Sequence, residues 1–324
     1  MAAIKIAASA HYVPSKKVTN DDLSQLMDTS DEWISSRTGI QQRHVSCGEN
    51  TADLCAKVAK KLLQKSGTTA EKIDLIIVAT MSPDCYTPAT AAIVQGKIQA
   101  VNAAAFDVSA ACSGFIYALT TAKAMMKLPH YQHVLVIGGE VLSKVLDWTD
   151  RTTAVLFGDG AAGVLLETTT SDSSFLSEDL KTYGNLADRL QAGLTEPLSK
   201  FPANSSHHFA AFKMNGRDVY TFATHKVPLS IETAVTESGL KLEQVDWFIL
   251  HQANSRIITQ IAKRMKQPLE KFPMNIAEYG NTSGASVPLL FDEMIEAGKI
   301  KTGQIIVLSG FGGGLTVGTQ IIKY

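Results

Sequence analysis

Residues Glu71–Thr80 read EKIDLIIVAT, and the run recurs as EQVDWFILHQ at Glu243–Gln252, an offset of 172 positions. Each is a short apolar run rich in β-branched residues, the pattern of a strand buried on both faces of a parallel sheet. Two further pairs keep nearly the same offset. VLVIGG from Val134 matches IVLSGFGGG from Ile306 near 171, and Cys112-Ser113-Gly114 aligns with Thr282-Ser283-Gly284 at 170. Three segments sharing one offset within two residues mark an internal duplication. The chain is therefore expected to be α/β, with two similar halves, 1–170 and 171–324.

In open α/β sheets, sites form beyond the carboxyl ends of the strands. In the first half, Ala105–Lys127 (AFDVSAACSGFIYALTTAKAMMK) reads as strand, tight turn and helix, with Phe115, Leu119, Ala122 and Met126 at helical spacing. Cys112 falls at the turn. There a helix N-terminus, with its unpaired N–H groups and dipole, favours a thiolate. A nucleophile and a small buried core thiol both fit this stretch taken by itself.

The second half places His251 at the end of VDWFIL and Asn281 in the turn before Thr282. Alone, the first reads as a satisfied core histidine and the second as an Asx turn. Opposite a cysteine, the pair suits acyl transfer. The thiolate takes the acyl group as a thioester, and the other two present N–H donors to a carbonyl oxygen that becomes negative. The glycine run Gly312-Gly313-Gly314 would let backbone approach the cysteine and supply another such donor.

Composition narrows the alternatives. The 324 residues are 45% hydrophobic and 19% charged, with a formal net charge of −1, so nothing favours bulk nucleic-acid or membrane binding. Four cysteines (Cys47, Cys55, Cys85, Cys112) without a CxxC pair or a cysteine/histidine cluster argue against a disulfide framework and structural zinc. MAAIKIAASAHYVPSKK reads as a first strand rather than a signal peptide, and no apolar run reaches the ~18 residues of a spanning helix. A cytoplasmic protein is expected.

Helix starts are signalled at Thr19-Asn20-Asp21 and Thr29–Trp33, with an amphipathic helix over Thr51–Leu63 and another helical segment over Pro88–Ala100. Arg37 follows Trp33 by four positions, so the two make either a stack for an anionic, ring-bearing ligand or a helix anchor and a solvated charge. Gly158, Gly160 and Gly163 match a dinucleotide-binding spacing. The strand-like Val164–Thr168 that follows makes a hairpin between two apolar runs the better reading. Residues 168 to about 208 look like a linker, and His207-His208 like a solvated pair rather than metal ligands.

TSDEWISSRTGIQQRH, DVSAACSGF, TDRTTAVLFGDGAAG, HQANSRII, GNTSGASVP and SGFGGG, in this order over essentially the whole chain, resemble the β-ketoacyl-acyl carrier protein synthase III family of the thiolase-like superfamily. The resemblance implies an α-β-α-β-α layered fold with two mixed five-stranded sheets, a homodimer, and initiation of type II fatty acid synthesis without metal or cofactor. It implies that Cys112 is acylated from acyl-CoA. His251 and Asn281 then stabilise the enolate left when malonyl-acyl carrier protein loses carbon dioxide, and backbone N–H groups of Cys112 and Gly314 form the oxyanion hole.

By the same resemblance Trp33 and Arg151 sandwich the CoA adenine, Arg37 meets its phosphates, and Asn215, Gly216 and Ala253 line the pantetheine channel. Leu142 and Phe157 belong to the acyl pocket, closed by Thr87 of the partner subunit. Family members with phenylalanine there prefer acetyl, so Thr87 implies room for branched or longer primers. Arg256, Lys263 and Arg264 form a basic face for the acidic carrier protein, or an ordinary solvated one. A secondary-metabolism condensing enzyme, a cysteine hydrolase and a noncatalytic acyl-binding scaffold remain as rivals.

Overall fold

The structure, a computed structural model, describes residues 3–195 and 210–324. The first half contains β1 (Ala3–Tyr12), β2 (Lys17–Thr19), α1 (Asn20–Ser24), α2 (Asp31–Thr38), β3 (Gln42–His44) and α3 (Thr51–Ser66). It continues with β4 (Leu75–Ala79), α4 (Thr90–Ile98), β5 (Ala104–Val108), α5 (Gly114–Met125), β6 (His133–Glu140) and β7 (Gly160–Thr169). The second half supplies β8 (Phe175–Thr182), β9 (Leu190–Gln191), β10 (Lys213–Met214), α6 (Gly216–Glu237) and β11 (Trp247–Leu250). After these come α7 (Ser255–Arg264), α8 (Ile276–Tyr279), α9 (Ser286–Glu296), β12 (Ile305–Gly312) and β13 (Thr316–Lys323).

Local chemistry sets the helix ends. Thr19 and Asn50 cap α1 and α3 with reciprocal capping boxes through Asp22 and Asp53, and Gly39 and Gly67 end α2 and α3 in the left-handed conformation. One sheet runs β1-β7-β6-β4-β5 and the other β11-β12-β13-β8. β4 is parallel to both its neighbours, as β11 is to β12.

Strand alternation sorts the apolar residues into layers. Leu75, Ile77 and Ala79 face inward with Ile249, Ile306 and Leu308, and between the two sheets lie Phe115 and Leu119 of α5 with Leu290, Phe291 and Met294 of α9. Ile76 and Val78 face outward onto α3 and α4, and Phe248, Leu250 and Val307 onto α6 and α7. The result is five layers, α-β-α-β-α. Each buried Leu or Phe of the middle layer stabilises it by roughly 1.5–3 kcal/mol. No helix among the described residues is long and apolar enough to cross a membrane.

Five expectations need correction. The second sheet has four strands among the described residues, not five. Where the run before Thr282 was expected to leave a strand, the chain after Pro273 forms the one-turn α8, which docks beside the β2–β3 ribbon, Gln41 N–H donating to Ala277 O at 3.0 Å. Thr153–Leu156 is a turn rather than a hairpin strand, because β7 pairs with β1 and β6 instead. The presumed linker carries the end of β7 and all of β8, a full strand of the second sheet. His207-His208 lies outside the described residues.

The fifth correction concerns register. The elbow Ala111–Ser113 leads into α5 at Gly114, and Ser283–Ala285 leads into α9 at Ser286, an offset of 172. Ala111 (φ 45°) and Ser283 (φ 48°) hold the same left-handed backbone at that offset. The counterpart of Cys112 is therefore Gly284, not Thr282. A symmetric pair of glycines seats the two elbows. A Cβ on Gly138 of β6 would lie 2.2 Å from Gly284 O, and one on Gly310 of β12 would lie 2.9 Å from Cys112 O.

Candidate active site

The two elbows meet where both sheets end, at the floor of a cavity of about 750 Å³. Cys112, His251 and Asn281 line it together with Gly312, Gly313 and Gly314. All three side chains are buried. Gly312 is the glycine pressed closest to the thiol, since a Cβ there would fall 3.1 Å from Sγ, while Gly314 lies further along the same wall.

The thiol differs from the sequence reading. A helix start was expected to favour thiolate, but burial outweighs it and pushes the Cys112 thiol up to about 12, with a contribution from the Glu140 carboxylate. The Ser283 hydroxyl acts the other way. Glu140 is itself fully buried, and burial raises it to about 7 although Thr80, Ser82 and the Met81 and Ser82 amides all donate to it.

His251 follows directly on β11, its N–H donating to Ser309 O at 2.8 Å. Burial holds its pKa down at about 3, so the imidazole is neutral. Nδ1 is 2.6 Å from Ser286 Oγ, and Phe311 stands edge-on to the ring at 5.0 Å. With Ser286 as donor, Nδ1 accepts and Nε2 carries the proton.

Asn281 is fixed by backbone on both sides, its N–H donating to Leu156 O at 2.8 Å and its carbonyl accepting from Gly158 N at 3.0 Å. Its Oδ1 accepts from Ser283 N at 2.8 Å, leaving Nδ2 as the free end of the amide. One elbow, Ser283 to Ser286, thus occupies the acceptor atom of each side chain.

Trp33, Arg37, Phe157, Gly216 and Ala253 line the same cavity. Both Arg37 and Arg151 stack on Trp33, with Cζ 4.7 and 5.4 Å from the ring centroid, and Arg151 is held by Asp28. The other assignments lie off the cavity wall. Asn215 caps α6, its Oδ1 accepting from Asp218 N, and Leu142 sits fully buried in the cluster that holds Phe157. Thr87 is exposed on the loop before α4. Arg256 and Arg264 donate to Ser36 O and Thr224 O, and Lys263 faces solvent.

Sequence reading missed residues that orient the others, Ser283, Ser286 and Phe311, although it did find Gly312 in the glycine run beside the thiol. It also missed Phe212, stacked on Phe157 at 4.4 Å, and Met81 on the cavity wall. The serines were visible in GNTSGASVP, but nothing in a linear motif says which hydroxyl faces which ring.

Two duplicated α/β halves that share a middle helix layer, with a cysteine at one elbow, define the thiolase-like fold. Residues 106–184 match the profile described as 3-oxoacyl-[acyl-carrier-protein (ACP)] synthase III, and residues 235–324 match that of its C terminal part. A Limosilactobacillus reuteri protein named beta-ketoacyl-[acyl-carrier-protein] synthase III is 56% identical over 99% of both chains. The crystal structure of 3-oxoacyl-[acyl-carrier-protein] synthase III from Aquifex aeolicus superposes with a TM-score of 0.92 at 39% identity, covering 99% of this chain and 100% of that one. The priming beta-ketosynthase of the R1128 polyketide pathway gives 0.93 at 28% identity, over 99% of this chain and 96% of that one. The chain belongs to the β-ketoacyl-[acyl-carrier-protein] synthase III family.

Proposed function

We propose that this protein catalyses the initiating condensation of type II fatty acid synthesis, in the cytoplasm. Cys112 Sγ attacks the thioester carbonyl of a short-chain acyl-CoA, the C–S bond to CoA breaks, and CoA leaves with the thiol proton. The observation that carries this reading is that His251 and Asn281 both line the cavity that holds the thiol, with His251 Nδ1 and Asn281 Oδ1 engaged by the Ser283–Ser286 elbow, which leaves Nε2 and Nδ2 as their donors. They would hydrogen-bond the malonyl thioester carbonyl as its carboxylate departs as carbon dioxide, so that the electron pair left behind is held as an enolate. The enolate carbon then attacks the acyl-cysteine, whose oxygen is received by backbone N–H groups of Cys112 and Gly314, and the thiolate is expelled. Decarboxylation drives the reaction, and neither metal nor redox cofactor enters it.

Trp33, Arg37 and Arg151 would receive the CoA nucleotide at the cavity mouth, with Arg151 giving up Asp28 to admit the adenine. Asn215, Gly216 and Ala253 would flank the pantetheine arm, and Leu142 and Phe157 the acyl end. Arg256, Lys263 and Arg264 would meet the acidic carrier protein. A homodimer is part of the reading: β5 is an unpaired sheet edge, and nearby Tyr86 and Val101 are 82% and 71% exposed. Thr87 would then close the partner's acyl pocket.

Mass spectrometry after incubation with acyl-CoA, with Cys112→Ala as control, tests the first half-reaction. An adduct is expected on wild type alone. An adduct that survives in Cys112→Ala overturns the assignment.

A further inference from the structure

Arg43 takes no part in the chemistry above, yet it is a charged side chain buried completely. It sits in the middle of β3, and no carboxylate pairs with it among the described residues. Burial lowers its pKa to about 10, so it stays charged at neutral pH. Taking an ion out of water costs several kcal/mol, and an apolar side chain of similar volume would avoid that cost. What an apolar side chain could not do is bond in two directions at once.

Nη1 donates to Val18 O at 3.3 Å and Asn20 Oδ1 at 2.9 Å, and Nη2 donates to Val155 O at 2.8 Å. Nε has no partner. The first side of the guanidinium is firmly anchored, because Asn20 Nδ2 donates onward to Ile40 O at 2.7 Å and to Asp31 Oδ1 at 2.8 Å. The other side holds the segment on which Asn281 is built. Leu156 O accepts the Asn281 N–H, and Gly158 N donates to the Asn281 carbonyl. The Arg43 Cβ also lies 3.1 Å from the Cβ position of Gly158 and 3.5 Å from that of Gly280, so its stem forms the floor under both.

We propose that Arg43 is a positioning residue for Asn281: its two-ended guanidinium fixes the Val155–Gly158 segment, and through it the direction in which the Asn281 amide points. Cys112 depends on other contacts, the glycines of β12 and the start of α5, none of which Arg43 touches. The two half-reactions should therefore respond differently to Arg43. This rests on the division of roles proposed above.

The test is Arg43→Lys, which keeps the positive charge and loses the fork, and Asn20→Ser, which removes the anchor and leaves the guanidinium. Both variants are assayed for Cys112 acylation by acyl-CoA and for decarboxylation of malonyl-acyl carrier protein. Arg43→Lys should acylate within about twofold of wild type while kcat for decarboxylation falls about ten- to hundredfold, with KM little changed. Asn20→Ser should show the same split at a few fold, and it decides the matter if Arg43→Lys does not fold. Equal loss of both half-reactions, or unchanged decarboxylation in a folded variant, overturns the proposal. If wild type itself fails either half-reaction, it is the reading of the site that fails.

Discussion

Ser283 donates its backbone N–H to Asn281 Oδ1 at 2.8 Å, and that bond decides which end of the amide the cavity sees. The carbonyl end is turned back into the protein and the NH₂ end is left to the substrate. Ser286 Oγ lies 2.6 Å from His251 Nδ1, and with the serine as donor it leaves Nε2–H to the cavity in the same way. The site's polarity is thus imposed by the elbow of the half that lacks a nucleophile.

Asn281→Asp keeps an acceptor for Ser283 but exchanges the donor in the cavity for a carboxylate oxygen. Decarboxylation of malonyl-acyl carrier protein should drop about 10²–10³-fold, the usual cost of one oxyanion donor, and His251→Ala should do likewise. Cys112 should still accept an acyl group in both. Acylation lost alongside decarboxylation, in folded variants, would contradict the division of labour.

The buried thiol makes a pH prediction. With its pKa near 12, the thiolate fraction of free enzyme should rise about tenfold per pH unit through neutrality. Iodoacetamide inactivation rates should follow that slope from pH 7 to 9. A plateau near pH 7 would show that the helix N-terminus wins over burial after all.

Glu140 makes a prediction about stability. Its folded pKa, about 7, lies above the ordinary 4.5, so its contribution is fully present below the unfolded pKa and is lost as pH rises through the folded one. Between about pH 4.5 and 7 the protein should lose roughly 3 kcal/mol from this group. Four donors converge on one carboxylate oxygen, which Glu140→Gln can reproduce with its carbonyl. Urea titrations at several pH values should show that slope in wild type and a flatter one in the variant.

Gly138→Ala and Gly310→Ala insert a methyl against the backbone of the opposite half's elbow. Overpacking of this kind costs about 1–3 kcal/mol or more. Thermal melts should place Gly138→Ala lower, given its 2.2 Å contact. A Tm equal to wild type for both would mean that the elbows are not tightly seated.

Primer choice can be measured directly. With threonine at position 87, turnover of isobutyryl-CoA should be within tenfold of that of acetyl-CoA, and Thr87→Phe should shift the ratio toward acetyl. Strict acetyl preference in wild type sinks the idea.

The duplication was legible because strands buried on both faces must be continuous apolar runs, and two such runs in one register are hard to miss. The elbows were harder to align. Near Cys112 and Thr282 the shared small residues invite a match two positions out, and only the left-handed Ala111 and Ser283 reveal the true offset. Cys112, His251 and Asn281 could be read as a set, since the first two follow strands and the third lies in the turn that the duplication sets beside the Cys112 elbow. Ser286, Phe311 and Arg43 could not, because their importance lies in what they touch across the fold. The fate of the thiol was misjudged for a related reason: a helix start is visible in sequence, and the depth at which it is buried is not.

The crossed seating of the elbows also bears on how the molecule is made. Gly310, the residue that closes over Cys112, follows it by nearly two hundred positions and so leaves the ribosome long after it. A nascent chain therefore carries its cysteine through synthesis of the whole intervening stretch without the cavity that surrounds it. The site is complete only once β12 is in place, and a chain interrupted before that strand would lack the Gly312 wall against Cys112 altogether rather than carry a weaker version of it.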